Sequence, residues 1–310
     1  MSTFWNDGLG SSTKKGDRQM KKIVNLFMVI LLMLVVASVS TGCTQDNMDQ
    51  IEIVVTNYPN EYITKKIYGD HATIEAIYPD GVDIDKYKIS DKKKNDYSKK
   101  DLFIYNGLIE KERDLAVDLL AINPNLKIID TAYVLETDYS PEELWLNPSS
   151  LLMMAQNVRL GLEEYITNNY LKKEVDDAYD NLKVKLSELD ADYRVAVENT
   201  DSKTIVVANS ALKYLEKFGL EVICIDSDAT DKVLSDAENL IKKNAISYVY
   251  IFKGDTINEK AKKILDQYPD IKKLEVHKID NLSDTEREED KNYITIMNDN
   301  LELFKQELYQ

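Results

Sequence analysis

Residues 169–199 constrain the fold more than any other stretch of the chain. Apolar side chains fall at Leu171, Val175, Ala178, Leu182, Leu186, Leu189, Tyr193 and Ala196, in steps of three and four that keep one stripe on a single helical face. Lys, Glu and Asp fill the other faces. Neither Gly nor Pro occurs between Gly161 and Gly219, so nothing stops a helix of about 30 residues, roughly 45 Å long at 1.5 Å per residue. On either side short β-rich runs alternate with helical runs. That arrangement predicts an α/β fold in which two parallel-sheet α/β domains, 51–168 and 200–310, are joined by one long linking helix, 169–199.

In the first half, strands are expected at 51–56, 73–77, 102–105 and 126–129, with helices at 62–68, 108–120 and 149–166. In the second half, strands at 204–207, 222–226, 248–252 and 274–279 alternate with helices at 210–218, 232–243, 258–267 and 292–308. Gly219 sits where helix 210–218 needs a left-handed residue to end it. The stretch 78–98 is polar and carries Lys86, Lys88, Lys92, Lys93 and Lys94, which read as a solvated face.

The N-terminus points to a compartment. Lys14, Lys15, Arg18, Lys21 and Lys22 precede an apolar run over 23–39, interrupted by Asn25, and Ser40-Thr41-Gly42-Cys43 follows. A basic segment, an apolar core and small residues before a cysteine make a secretory signal ending in a lipobox-like sequence. The expectation is a signal peptide with an upstream extension over 1–42, lipidation at Cys43 and a tether over 43–50. Met20 competes with Met1 as the start. The alternative for 23–39 is a transmembrane anchor of barely sufficient length.

The formal charge of -16 disfavours nucleic acid, which needs a basic face. Residues 1–42 hold five basic and two acidic side chains, so the remainder is more acidic still. Cys43 and Cys224 are the only cysteines, which leaves no disulfide framework or thiolate metal site, and Cys224 falls in an apolar run expected to be a buried strand. Phosphate loops, zinc-helix motifs and nucleophile elbows are absent from the sequence. His71, expected in an exposed turn, and His277, expected in a strand, are the only histidines. Most acid–base chemistry therefore lacks its commonest group, and an enzyme is disfavoured.

Short motifs in a fixed order say more. They are IVVTNYP at 53–59, Gly81-Val82-Asp83, DLFIYNGL at 101–108, WLNP at 145–148, Tyr214-Leu215 with Phe218-Gly219-Leu220, Ile251-Phe252, and Tyr293 through Met297 to Asn300-Leu301. Together they resemble the zinc- and manganese-binding lipoproteins of bacterial ABC importers. The resemblance implies two α/β domains with one metal ion held in the cleft between them. It also implies a lipid-anchored, monomeric protein on the extracytoplasmic face of the cell membrane, serving an ABC permease and its ATPase.

Carried over residue by residue, the ligand positions fall on Asp85, Glu143, Asn209 and Asp280. A further acidic position falls near Gly254, which supplies no ligand. The family's three histidines are thus replaced by Asp85, Glu143 and Asn209, leaving oxygen donors that suit manganese, calcium or magnesium better than zinc. Such a set works only if Asp85 and Glu143, before the long helix, face Asn209 and Asp280 after it. A degenerate member that binds another solute, or acts in surface adhesion, is the competing expectation.

Overall fold

The computed structural model describes residues 48–200 and 202–309. The expected signal peptide, most of the expected tether and Cys43 lie outside the described residues. Two four-stranded parallel sheets form the frame. The first comprises β1 (Ile51–Val55), β2 (Ala72–Ala76), β3 (Leu102–Tyr105) and β4 (Lys127–Asp130) in the order β2-β1-β3-β4. The second comprises β5 (Thr204–Val207), β6 (Glu221–Cys224), β7 (Tyr248–Phe252) and β8 (Lys272–Val276) in the order β6-β5-β7-β8. Each order reverses at its centre, between β1 and β3 and between β5 and β7. Loops that leave the carboxyl ends there diverge and open a crevice.

The strands are apolar on both faces because both faces are covered. Ile53, Val55, Leu102 and Ile104 from the first sheet join Ile205, Val207, Tyr250 and Phe252 from the second in one continuous core. Val54 and Phe103 turn to a separate outer core of the first lobe, and Val206, Val249 and Ile251 to that of the second. The helices of the first lobe are α1 (Tyr58–Tyr68), α2 (Asp91–Tyr97), α3 (Glu110–Ile122), α4 (Glu143–Leu146) and α5 (Pro148–Tyr165). The long helix α6 (Asn169–Glu198) follows, then α7 (Asp231–Lys242), α8 (Glu259–Gln267), α9 (Asp284–Glu288) and α10 (Tyr293–Leu308).

Helix α6 runs for 30 residues, started by the Asn168 side chain, which accepts from the Tyr170 amide. Its stripe is buried as the spacing predicts, except that Ala178 is half-buried and Val197 joins the buried face. The helix packs on α5 and α1 of the first lobe and on α10 of the second. Its buried residues therefore belong to the same core as both sheets.

Several elements differ from the sequence expectation. Helix α1 starts at Tyr58 rather than at 62, because Asn57 caps it and Pro59 fits the first turn. Residues Ser210–Phe218 wind as a 3-10 helix, closed by Gly219 at φ 96°. Strand β8 stops at Val276, so His277 lies in a loop and not in a strand. The reason is local: the Asn300 side chain pairs with the amide and carbonyl of His277, which therefore join no ladder. His71 is half-buried rather than exposed, with Nδ1 3.0 Å from Asp49 and Nε2 3.1 Å from Glu174. Cys224 is only partly covered at the edge of its sheet, although burial raises its thiol to about 12.

Candidate functional site

The two lobes meet at the carboxyl ends of their strands. The loop that follows β8 is fixed at each residue. Asn300 pairs with the His277 backbone, donating to its carbonyl at 3.0 Å and accepting from its amide at 2.8 Å. The Trp145 indole donates to the Lys278 carbonyl at 2.9 Å, and the Ile279 amide donates to His277 Nδ1 at 2.9 Å. The Tyr58 amide donates to the Asp280 carbonyl at 2.9 Å. Ile279, fully buried and β-branched, holds its positive φ within this frame. The strained turn carries the Lys278 and Asp280 side chains into one cleft.

That cleft has a volume of about 460 Å³ and is lined from the first lobe by residues 81–86 and from the second by residues 253–256 with Lys278 and Asp280. Asp85 is on its wall, exposed, opposite Asp255 and Asp280. Lys86 pairs with Asp83 at 2.6 Å and Lys253 with Glu286 at 2.9 Å. The ammonium of Lys278 stands between Asp280 at 3.5 Å and Glu142 at 3.7 Å, with its side chain 16% exposed. Asp255 and Asp85 also act on it through space. The Lys278 ammonium thus pairs with Glu142 and Asp280 and is acted on by Asp255 and Asp85, carboxylates drawn from both lobes.

Burial alone would lower the pKa of Lys278, but Asp280, Glu142, Asp255 and Asp85 outweigh it and hold it above the ordinary lysine value. Burial raises the Asp280 carboxyl, with Lys278 opposing. Asp255 is raised by partial burial first, against Lys278, and then by Asp280, Asp85 and Glu142. His277 is lowered by burial although Glu286 lies 3.2 Å from its Nε2. Glu286 itself is driven down to about 2: burial opposes this, and Ser283, Lys253 and His277 overcome it.

The four positions named from sequence do not form one set. Asp85 and Asp280 share the cleft. Asn209 does not reach it: its Oδ1 accepts from the Ala211 amide at 2.9 Å, and it lines a neighbouring cavity of about 220 Å³ at the β5/β7 crevice, sharing Asp255 and Thr256 with the cleft. Glu143 is buried and turned away. Its carboxylate accepts the amides of Asp138, Tyr139 and Ser140, tying down the loop before α4. Sequence reasoning missed Glu142, Asp255 and Lys278. The first two stand one residue from Glu143 and Gly254. Among the described residues no three acidic, histidine or cysteine side chains are close enough together to hold a metal ion.

Around the cleft the lobes are clamped. Arg287 donates to both oxygens of Glu61, at 2.8 and 2.7 Å, and of Asp80, at 3.0 Å each from Nε, while its guanidinium lies 5.4 Å from the Tyr58 ring centroid. The Gly81 amide donates to the Leu282 carbonyl at 2.7 Å, and the Asn281 amide group to the Pro79 carbonyl at 2.8 Å. The Tyr293 hydroxyl donates to the Trp145 carbonyl at 2.7 Å.

Residues 53–307 match the family model described as zinc-uptake complex component A, periplasmic. The chain belongs to the ZnuA family. Members of this family are solute-binding transport components rather than enzymes. Among its relatives, the zinc-binding lipoprotein AdcA of Streptococcus pneumoniae is 23% identical over 313 residues, covering 93% of this chain and 61% of AdcA. The chain therefore spans about three-fifths of that relative's length. The high-affinity zinc uptake system protein ZnuA of Bacillus subtilis is 22% identical over 319 residues, covering 93% of this chain and 98% of the relative.

Solved structures agree on the two-lobed fold with a long connecting helix. The Zn(II)-bound ZnuA-like domain of Streptococcus pneumoniae AdcA superposes with a TM-score of 0.69 at 23% identity, over 84% of this chain and 100% of that one. The laminin-binding protein Lmb of Streptococcus agalactiae, described as a bifunctional protein with adhesin and metal-transporting activity, gives 0.68 at 19% identity, over 83% and 99%. No helix of the described residues is long and apolar enough to cross a membrane.

Proposed function

We propose that this protein is the extracytoplasmic solute-binding component of a metal ABC importer, capturing a divalent cation between its lobes and delivering it to a membrane permease with its ATPase. It works as a monomer anchored through a lipid on Cys43, with 51–168 and 200–310 as the domains that flank the linking helix. The observation that carries this reading is that Asp85, Asp255 and Asp280 line one cleft at the strand ends; capture draws these carboxylates, which stand apart in this structure, together around the ion. The uncompensated negative charge attracts cations, and low-dielectric walls strengthen the field.

The cargo follows from the donor chemistry. Zinc prefers nitrogen and sulfur, and neither histidine supplies a nitrogen here: His277 Nδ1 accepts from a backbone amide and Nε2 faces Glu286, while His71 pairs with Asp49 and Glu174. Carboxylates with backbone and water oxygens suit manganese, calcium or magnesium. A cation bound only by the folded protein raises its melting temperature, with about 2.7 kcal/mol gained at a hundredfold excess over Kd. Thermal melts with manganese and calcium should therefore shift upward, and melts that stay unmoved with manganese, calcium, magnesium and zinc would refute the proposal.

One observation favours a second reading, in which the cleft takes no metal and the protein serves adhesion or another solute: Lys278 already places a positive charge among the carboxylates. Lmb, of the same fold, carries an adhesin description. A bound ion that disappears in an Asp255→Asn, Asp280→Asn variant would exclude it.

A further inference from the structure

The ammonium of Lys278 is held where both lobes contribute charge. Glu142 comes from the loop before α4 and Asp280 from the loop after β8, at 3.7 and 3.5 Å from Nζ. Asp85, from the first lobe, and Asp255, from the second, are within electrostatic reach of the same atom. The lysine is not a surface residue that has drifted inward. Its carbonyl is tied to the Trp145 indole, its neighbour Ile279 is held at positive φ, and the adjoining Asp280 carbonyl is bound by the Tyr58 amide. Lys86 is the contrast: it lines the same cleft, but its side chain is 85% exposed and spent on Asp83.

Resting on the cation-cargo reading above, we propose that the Lys278 ammonium occupies the cargo position as an internal cation, and that a divalent ion enters the cleft only by displacing it. The stem has four rotatable carbons, so the ammonium can swing outward while the pinned backbone stays in place. Binding is then an exchange. The carboxylates lose one monovalent partner and gain a divalent one, and the site never stands with all its charges unpaired. An ion that pays heavily for dehydration gains least from this exchange, so the lysine sets a threshold of affinity and charge that an arriving cation must exceed. Monovalent ions, with no advantage over an ammonium already in place, are excluded.

The test compares the full chain with K278M and with K86M as a control for general surface charge, titrating each with manganese and calcium in the calorimeter. Circular dichroism melts in cation-free buffer first establish that each variant unfolds cooperatively, with K278Q as substitute should K278M not fold. Removing a competing charge at this distance is expected to tighten cation binding by at least about tenfold in K278M, while K86M changes it by less than about threefold. A cation bound by K278M and not by wild type also supports the exchange. Equal affinities in wild type and K278M, or an equal gain in K86M, overturn it and leave the cargo reading intact. Absence of binding in both wild type and K278M overturns the cargo reading and the exchange with it.

Discussion

Glu112 lies wholly inside the first lobe, where the Thr56 hydroxyl donates to it at 2.5 Å, the Asn106 amide at 2.8 Å and the Asn57 side chain at 3.3 Å. Burial raises its carboxyl to about 7, against these hydrogen bonds. A carboxyl whose folded value exceeds its usual 4.5 favours the folded state below pH 4.5, and that contribution is lost as pH rises through 7. The shift corresponds to roughly 3 kcal/mol. Glu112→Gln keeps the shape and an acceptor, so urea unfolding should show stability falling between pH 4.5 and 7 in wild type and nearly flat in the variant. Site residues were harder to read than this lobe's core. Successive residues in a helical turn project about 100° apart, so Glu142 pairs with Lys278 while Glu143 ties down the loop before α4, a distinction that a motif match cannot make. Lys278 went unread because lysines are mostly solvated, and only the strained turn at Ile279 shows that this one is aimed inward.

Helix α6 is the element that the sequence states most openly, because thirty residues of three-and-four spacing have one low-energy solution. Its neighbours were less legible. The capping box at Ser283 and Glu286 marks α9, but the helix is five residues long and has no buried side chain, so no apolar period announces it. The 3-10 winding of residues 210–218 carries no periodic signal of its own, and the early end of β8 follows from a distant side chain, Asn300, that takes the His277 backbone. Since α6 shares its core with both lobes, a cavity in it weakens both at once. Leu186→Ala, at 1% exposure, should cost about 2–5 kcal/mol in one cooperative transition. Val184→Ala, on the exposed face, should stay within about 0.5 kcal/mol. Denaturant unfolding followed by circular dichroism measures both, and two separated transitions in Leu186→Ala would show that the lobes unfold independently.

At the scale of the molecule, the lobes are joined by α6, by a continuous core, and by polar contacts that include the Arg287 clamp on Glu61 and Asp80. Wide hinge opening would break all three, so cation capture should proceed by movement of cleft loops and of the Lys278 side chain. The alternation of strands and helices made this two-lobed frame readable from the sequence, and the order of motifs pointed to its family. The cleft was less readable, since its charged side chains sit in loops whose length and turn geometry no periodicity records. On the proposed reading, oxygen donors from both lobes hold a cargo ion. Equilibrium dialysis against manganese, followed by elemental analysis, tests it most directly on wild type, on Glu143→Gln and on the Asp255→Asn, Asp280→Asn double variant. A single ion is expected in wild type and in Glu143→Gln, with a loss of at least about tenfold in affinity in the double variant. No ion in wild type, or one that survives the double variant and is lost in Glu143→Gln, would contradict it.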